Sequence, residues 1–401
     1  MLLLSGCATA RPTATDAPAP AAPLLLGADT HLHLTTSHAA KPVFEGEPGQ
    51  GILTWSTQSR LTNQVEAEHL RRSGVRLALA AVWPPYRLRP HRTSFDETVG
   101  VLYGLHDFAR RRGDFTVALS AATARRALGA GQVALVPQVE GGEGITRVED
   151  VDVLYRAGMR CLTLVHFVDI DVGGASWGQA WDVFLGTKKA NGNNPLGLTP
   201  LGKQVVERLM DLGVLIDLAH ASDALSSDVL DLAEARGVPV IASHSGARAL
   251  LDKERNVSDA LARRIAKNGG VMGVSLFEMQ VGKVPDEKKW AGFVPDTCDD
   301  VVAHWAHFAS VAGPEAVVLG SDLNGFIIRG RPGGLCPNGI RNASDLPQLF
   351  AALEKRGVPR AALDGMGEKL LGILEKVEAR AKPEAQARAL SLPPWVVPSF
   401  E

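Results

Sequence analysis

Residues 200–244 read PLGKQVVERLMDLGVLIDLAHASDALSSDVLDLAEARGVPVIASH. Apolar residues recur at helical spacing over 200–212 and again over 223–236, and each of these stretches is followed by a short, mostly apolar, β-rich run, at 214–219 and at 238–242. Runs of that length following amphipathic helices predict strands, and the alternation predicts that the strands are parallel. Each strand ends near a histidine, His220 after the first and His244 after the second, one βα unit apart.

The same theme extends in both directions. Short apolar runs at 24–32 (LLLGADTHL), 75–82 (VRLALAAV), 133–139 (VALVPQV), 161–165 (CLTLV), 271–276 (VMGVSL) and 316–320 (AVVLG) bring the total to eight strands. Helices are expected over 64–73 and 257–268 as well, with Ser222 and Asn256 near two helix starts, where a side-chain oxygen can cap free amides. Eight parallel strands alternating with helices predict a (β/α)8 barrel of the TIM type with long βα loops. The 401 residues fit one such unit. The domain organisation expected is a tether over 1–23 and a single barrel over 24–401.

The carboxyl ends of the strands carry the chemistry. His31 and His33 close the first run, Glu140 the third, His166 the fourth, His220 the fifth, His244 the sixth and Asp322 the eighth. In a barrel these ends converge on one cavity, so residues far apart in sequence become neighbours there. Five imidazoles and two carboxylates in one pocket are costly unless a metal or a hydrogen-bond network satisfies them, and a metal centre is the reading. His31 and His33 alternate on an extended strand and face the same side, so both can reach one cation. His38, His69, His91, His106, His304 and His307 fall in loops or helices and are read as ordinary structural or surface residues.

Composition narrows the partners. With 45% hydrophobic and 21% charged residues the chain can bury a large core, and its formal net charge of -2 excludes nucleic acid and anionic membrane surfaces as electrostatic partners. No window reaches the roughly 18 apolar residues of a membrane-spanning helix. The opening residues end in Leu4-Ser5-Gly6-Cys7, similar to a bacterial lipobox in which Cys7 carries the lipid. The apolar stretch before Cys7 is short for a signal peptide, so the expectation is a start placed late. Residues 8–23 are rich in Ala, Pro and Thr, a composition suited to an extended linker. A lipid-anchored protein of the bacterial cell envelope, facing the periplasm or the exterior, follows. Of the remaining cysteines, Cys298 and Cys336 are either paired in an oxidising compartment or two separate thiols.

Several motifs then appear in order from residue 27 to about 380: Val139-Glu140-Gly141-Gly142, Leu162-Thr163-Leu164-Val165-His166, Gly197-Leu198-Thr199-Pro200-Leu201-Gly202, Gly213 to His220, Ser243-His244-Ser245, Arg255-Asn256-Val257 and Gly320-Ser321-Asp322. Together they resemble the membrane (renal) dipeptidase family, peptidase family M19, of the amidohydrolase superfamily. The resemblance implies a zinc-dependent dipeptidase in which Glu140 bridges two Zn2+ ions, His31 and His33 bind one of them, and His220 and His244 bind the other. It also implies that His166 and Arg255 contact substrate and that Asp322 handles protons. The expected reaction is hydrolysis of a dipeptide, including one with a C-terminal D-residue, by a metal-bound hydroxide. The expected partners are that small molecule or a related amide, the membrane through the lipid alone, and a second copy of the chain as a homodimer.

Two positions depart from the family pattern. His33 stands where the dipeptidases have aspartate, giving the His-x-His of the wider superfamily and a more positive centre. Asn324 stands where the family often has a second aspartate. His33 supports two rival readings: another amidohydrolase reaction, such as hydrolysis of an N-acyl amino acid, a lactam or a lactone, and a metal-binding lipoprotein of the same fold without turnover. Between His166 and Gly197 a long insertion containing Gly173, Gly174, Trp177, Trp181 and Asn191 to Asn194 is expected to cover the pocket.

Overall fold

Residues that must be buried on both faces of a sheet read as continuous apolar runs, and this is what closes the barrel. In a computed structural model, which describes residues 26–34, 64–65, 67–83, 94–177, 192–282, 297–325, 335–336 and 339–396, the strands are β1 Gly27–Leu32, β2 Val75–Val82, β3 Phe115–Val117, β4 Val133–Glu140, β5 Cys161–Thr163, β6 Leu215–Asp217, β7 Val240–Ser245, β8 Met272–Val274 and β9 Val317–Leu319. Cys7, the tether, His38, His91, Trp181 and Asn191 lie outside the described residues.

All pairings between these strands are parallel, and the ring runs β1, β2, β4, β5, β6, β7, β8, β9 and back to β1. All eight expected strands are present, and they make a closed (β/α)8 barrel. The ninth, β3, was not expected. It pairs with the first part of β4, Phe115 with Val133 and Val117 with Leu135, on the edge that β5 takes over from Gln138 onward. It therefore lies outside the ring. Its Phe-Thr-Val is only partly buried, unlike the three-residue strands inside the ring, so no apolar run marks it in the sequence.

The interior is tight where strands approach. A Cβ at Gly273 or at Gly320 would lie 1.8 Å from the Ser243 carbonyl oxygen, so only glycine fits at either position. Around the ring, Thr199 caps the helix Pro200–Leu212 and Ser222 caps Asp223–Arg236, each hydroxyl accepting from an amide three residues on. Asn256 does not cap the next helix, contrary to expectation. That helix is Asp259–Lys267, and Ser258 caps it. Asn256 instead accepts from the Gly246 amide and donates to the Leu251 and Gln280 carbonyls, because its segment runs beside β7 as a bridge between Ala247 and Val257. Cys298 and Cys336 form a disulfide, with Cα atoms 5.8 Å apart, tying the start of the helix Thr297–Ala312 to the segment after β9. Among the described residues no helix is long and apolar enough to cross a membrane.

Candidate metal centre

Side chains at the ends of six strands meet around the Glu140 carboxylate. Oε1 lies 3.2 Å from His31 Nε2, 3.3 Å from His220 Nε2, 3.5 Å from His244 Nε2 and 3.6 Å from His166 Nε2, while Oε2 lies 3.5 Å from His33 Nε2. Asp322 Oδ1 completes the cluster, 3.5 Å from His33 Nε2 and 3.8 Å from His31 Nε2. All seven are buried. Every residue proposed from sequence as ligand or proton carrier is thus brought to one place.

The donor set fits divalent cations. His220 and His244 face each other through Nε2 atoms 2.9 Å apart, and His31 and His33 through Nε2 atoms 3.2 Å apart. Two nitrogens bound to one tetrahedral zinc at about 2.0–2.1 Å each would be about 3.3 Å apart, close to both spacings. Three overlapping groups could hold a cation: His31, His33 and Asp322; His31, Glu140 and His244; and Glu140, His166 and His220. Imidazole and carboxylate are ligands suited to zinc.

Charge in the pocket follows the same division. Burial opposes a charged His31, but Glu140 and Asp322 outweigh it and raise its pKa to about 9. The positive charge favoured there is what a cation supplies. Burial dominates at the other side, pushing His166 down to about 4 and His220 and His244 well below the ordinary range, with Arg255 adding to the effect. These imidazoles are neutral and keep lone pairs for a metal or a substrate proton. Burial raises Asp322, against the pull of His33 and His31. Burial likewise opposes charge on Glu140, but His166 and His31 overcome it and hold the carboxyl well below its usual value.

Backbone strain concentrates here. His220, Asp322 and Asn324 have φ of 65°, 58° and 65°, the positive-φ non-glycine residues among those described. A left-handed conformation costs roughly 1–2 kcal/mol for a residue with a Cβ and persists where the surroundings impose it. Asn324 shows how they do. Its Oδ1 accepts from the Gln64 amide at 2.8 Å, its Nδ2 donates to the His33 carbonyl at 2.9 Å, and its own amide donates to Gln64 Oε1. An aspartate could not donate to that carbonyl, so the amide at 324 clamps the strand end that presents His33.

Arg255 is buried beside the cluster. Nη1 donates to the His244 carbonyl at 3.0 Å, whereas Nε and Nη2 have no hydrogen-bond partner. Burial lowers its pKa to about 10, with Asp322 and Glu140 opposing. The described ends of the loop after β5 pack against this region: the Ser176 amide donates to the His220 carbonyl, and Glu254 accepts from the Trp177 and Asn194 amides as well as from that of Asp223. Trp83 and Phe167 stand edge-on and tilted to His166, at ring separations of 5.2 and 3.7 Å.

Sequence reasoning missed the residues behind the ligands. Gln138, Thr163, Asp217 and Ser243 form a buried hydrogen-bonded set under His31 and His244, and Asp29 accepts from the His31 and Ser321 amides. The available signal was a polar side chain inside an otherwise apolar strand.

The profile of the family described as membrane dipeptidase (peptidase family M19) matches residues 28–388. Solved structures similar to this chain include a dipeptidase described as a metallo peptidase of family M19, at 22% identity and TM-score 0.66, covering 89% of this chain and 99% of that one. A metallo peptidase from Rhodobacter sphaeroides liganded with a phosphinate mimic of the dipeptide L-Ala-D-Ala matches at 22% identity and TM-score 0.65, with 89% and 99% covered. A probable dipeptidase, PvdM, from Pseudomonas aeruginosa matches at 20% identity and TM-score 0.66, with 89% and 96% covered. These structures share the barrel, and the profile match over nearly the whole of it, together with the cluster around Glu140, shows that the chain belongs to the membrane dipeptidase family, peptidase family M19, as a metal-dependent hydrolase.

Proposed function

We propose that the protein hydrolyses dipeptides that carry a free C-terminal carboxylate, including those with a D-residue at that end, with two zinc ions in the centre. Arg255 carries this reading: two buried guanidinium donors without partners lie beside a cluster of metal ligands, and a carboxylate is the group that fits such a fork. The metallo peptidase from Rhodobacter sphaeroides, liganded with a mimic of L-Ala-D-Ala, supports the stereochemistry.

His31, His33 and Asp322 would hold one cation and His220 and His244 the other, with Glu140 shared between them. When bound, such cations polarise a carbonyl and acidify the attacking water. The chain's own groups do the rest. Arg255 fixes the carboxylate end of the substrate and so sets the distance of the peptide bond from the cluster. His166, neutral in its buried site, lies 3.6 Å from Glu140 and is placed to meet the carbonyl oxygen as it gains charge. Asp322, whose carboxylate burial makes a stronger base, takes the proton of the water and returns it to the departing amine. Glu254 holds the two described ends of the loop after β5, at Trp177 and Asn194, beside the site.

Hydrolysis of an N-acyl amino acid is the second reading, favoured by His33, whose Nε2 faces Glu140 and Asp322. Such a substrate also ends in a carboxylate. Anchoring by lipid at Cys7 in the cell envelope completes the proposal, and the Cys298–Cys336 disulfide supports an oxidising compartment. Metal analysis, followed by turnover of L,L and L,D dipeptides, their C-terminal amides and N-acyl amino acids, tests the whole. Two equivalents of zinc and turnover that strongly favours dipeptides with a free carboxylate over their amides are expected. Equal turnover of the amides would overturn the role given to Arg255.

A further inference from the structure

The buried Asp217 carboxylate, at the end of β6, accepts five hydrogen bonds. Oδ1 accepts from the Ala219 and Ser243 amides at 3.0 and 2.7 Å. Oδ2 accepts from Thr163 Oγ1 and Ser243 Oγ, both at 2.6 Å, and from Gln138 Nε2 at 2.9 Å. Two of those donors lead to histidines on different strands of the cluster, His31 on β1 and His244 on β7, whose rings stack at 3.8 Å. Gln138 Oε1 lies 3.0 Å from His31 Nδ1, and Ser243 Oγ lies 2.9 Å from His244 Nδ1.

Counting protons settles the direction of both chains. A carboxylate receiving these contacts acts as an acceptor, so the amide nitrogen of Gln138 must face it, which leaves Oε1 for His31. His31 Nδ1 therefore carries a proton and donates. Ser243 has a single hydroxyl proton and gives it to Asp217, so it can only accept from His244 Nδ1. In both rings a proton is pinned at Nδ1, which leaves Nε2, turned toward Glu140, as the atom that meets a metal.

We propose that Asp217 is a shared positioning residue which, through Gln138 and Ser243, sets the tautomer and ring orientation of His31 and His244 together and so couples the two cation sites. The proposal rests on the assignment of His31 and His244 to different cations made above. β6 is the only strand of the ring that needs to supply the anchor: its carboxylate reaches Gln138 on β4 past Thr163 on β5, and Ser243 on β7 beside it.

The test is zinc titration of the metal-free full chain in competition with a chromophoric chelator, repeated with cobalt(II), whose visible absorption reports the ligand field at each site. Loss of a hydrogen-bond partner behind a metal ligand typically weakens binding roughly 10- to 100-fold. Gln138→Met should weaken one of the two equivalents by that factor and Ser243→Ala the other, whereas Asp217→Asn should weaken both. Wild-type affinity for both equivalents in Asp217→Asn, with only a lower melting temperature, would show a purely structural role and overturn the proposal. If Asp217→Asn does not fold, the single variants decide: unchanged affinity in each, or equal weakening of both equivalents by each, overturns it. A wild-type chain that binds no zinc would instead sink the metal centre itself, and the coupling with it.

Discussion

Replacing Arg255 by lysine removes the fork while keeping the charge. The guanidinium uses Nη1 on the His244 carbonyl and leaves Nε and Nη2 free in a buried site. Each of these donors is shut away from bulk solvent, which costs about 1–3 kcal/mol when no partner is bound, and a carboxylate answers both at once through charge-assisted bonds of about 1.5–3 kcal/mol each. An ammonium is a single point on a shorter stem and can keep one of the two. The expected loss is therefore one charge-assisted bond, about 1.5–3 kcal/mol, or roughly 10- to 150-fold in KM at 25 °C for a dipeptide with a free carboxylate. The C-terminal amide of the same dipeptide, which cannot engage the fork as an anion, should show little difference between wild type and Arg255→Lys. Steady-state kinetics with the matched pair, with the melting temperature of the metal-loaded proteins as a control for folding, separates the two. An unchanged KM for the free dipeptide, or an equal rise for acid and amide, would refute carboxylate recognition by Arg255.

Glu140→Ala should abolish turnover and most metal binding, because the shared carboxylate between the His31 and His220 sides is lost; elemental analysis still finding two equivalents would contradict this. His33→Ala should lose the cation held with His31 and leave the His220 and His244 side occupied, while His33→Asp should keep both cations and shift turnover toward ordinary dipeptides. One equivalent bound alike by wild type and His33→Ala would remove His33 from the ligand set. The metal-free protein should lose stability in acid: His166, His220 and His244 have lowered pKa values and stay neutral in the fold, so the unfolded chain takes up their protons first as pH falls below about 6.5 toward 4. His31, raised to about 9, acts in the opposite sense: its contribution is complete below about 6.5 and disappears as pH rises through 9. Melting temperatures of chelator-treated protein from pH 4 to 10 should fall at both ends, and a flat acid limb between 6.5 and 4.5 would count against the neutral imidazoles. With an upstream signal peptide restored, Cys7→Ser should release the protein from the membrane, and a variant still bound after a high-salt wash would exclude lipidation at that cysteine.

The barrel was legible in the sequence because burial on both faces of a parallel strand demands a largely apolar run, and such runs at 75–82, 133–139 and 214–219 stand out against amphipathic helices. The ligands were legible for a related reason: a histidine or carboxylate at the end of an apolar run breaks the pattern, and the barrel sends every such break to the same rim. What sequence could not supply is anything that depends on distance between strands. Gln138, Thr163 and Ser243 are ordinary polar residues in their own strands, and they join into one network only because β4, β5, β6 and β7 lie side by side with Asp217 between them. The pairing of Cys298 with Cys336, the choice of Ser258 over Asn256 as a cap, and the need for an amide at Asn324 were open for the same reason. Local composition states which groups a chain owns; the tertiary fold alone decides which of them share a proton, a sulfur bond or a cation, because those interactions act over about 2–4 Å and depend on where separate strands are placed.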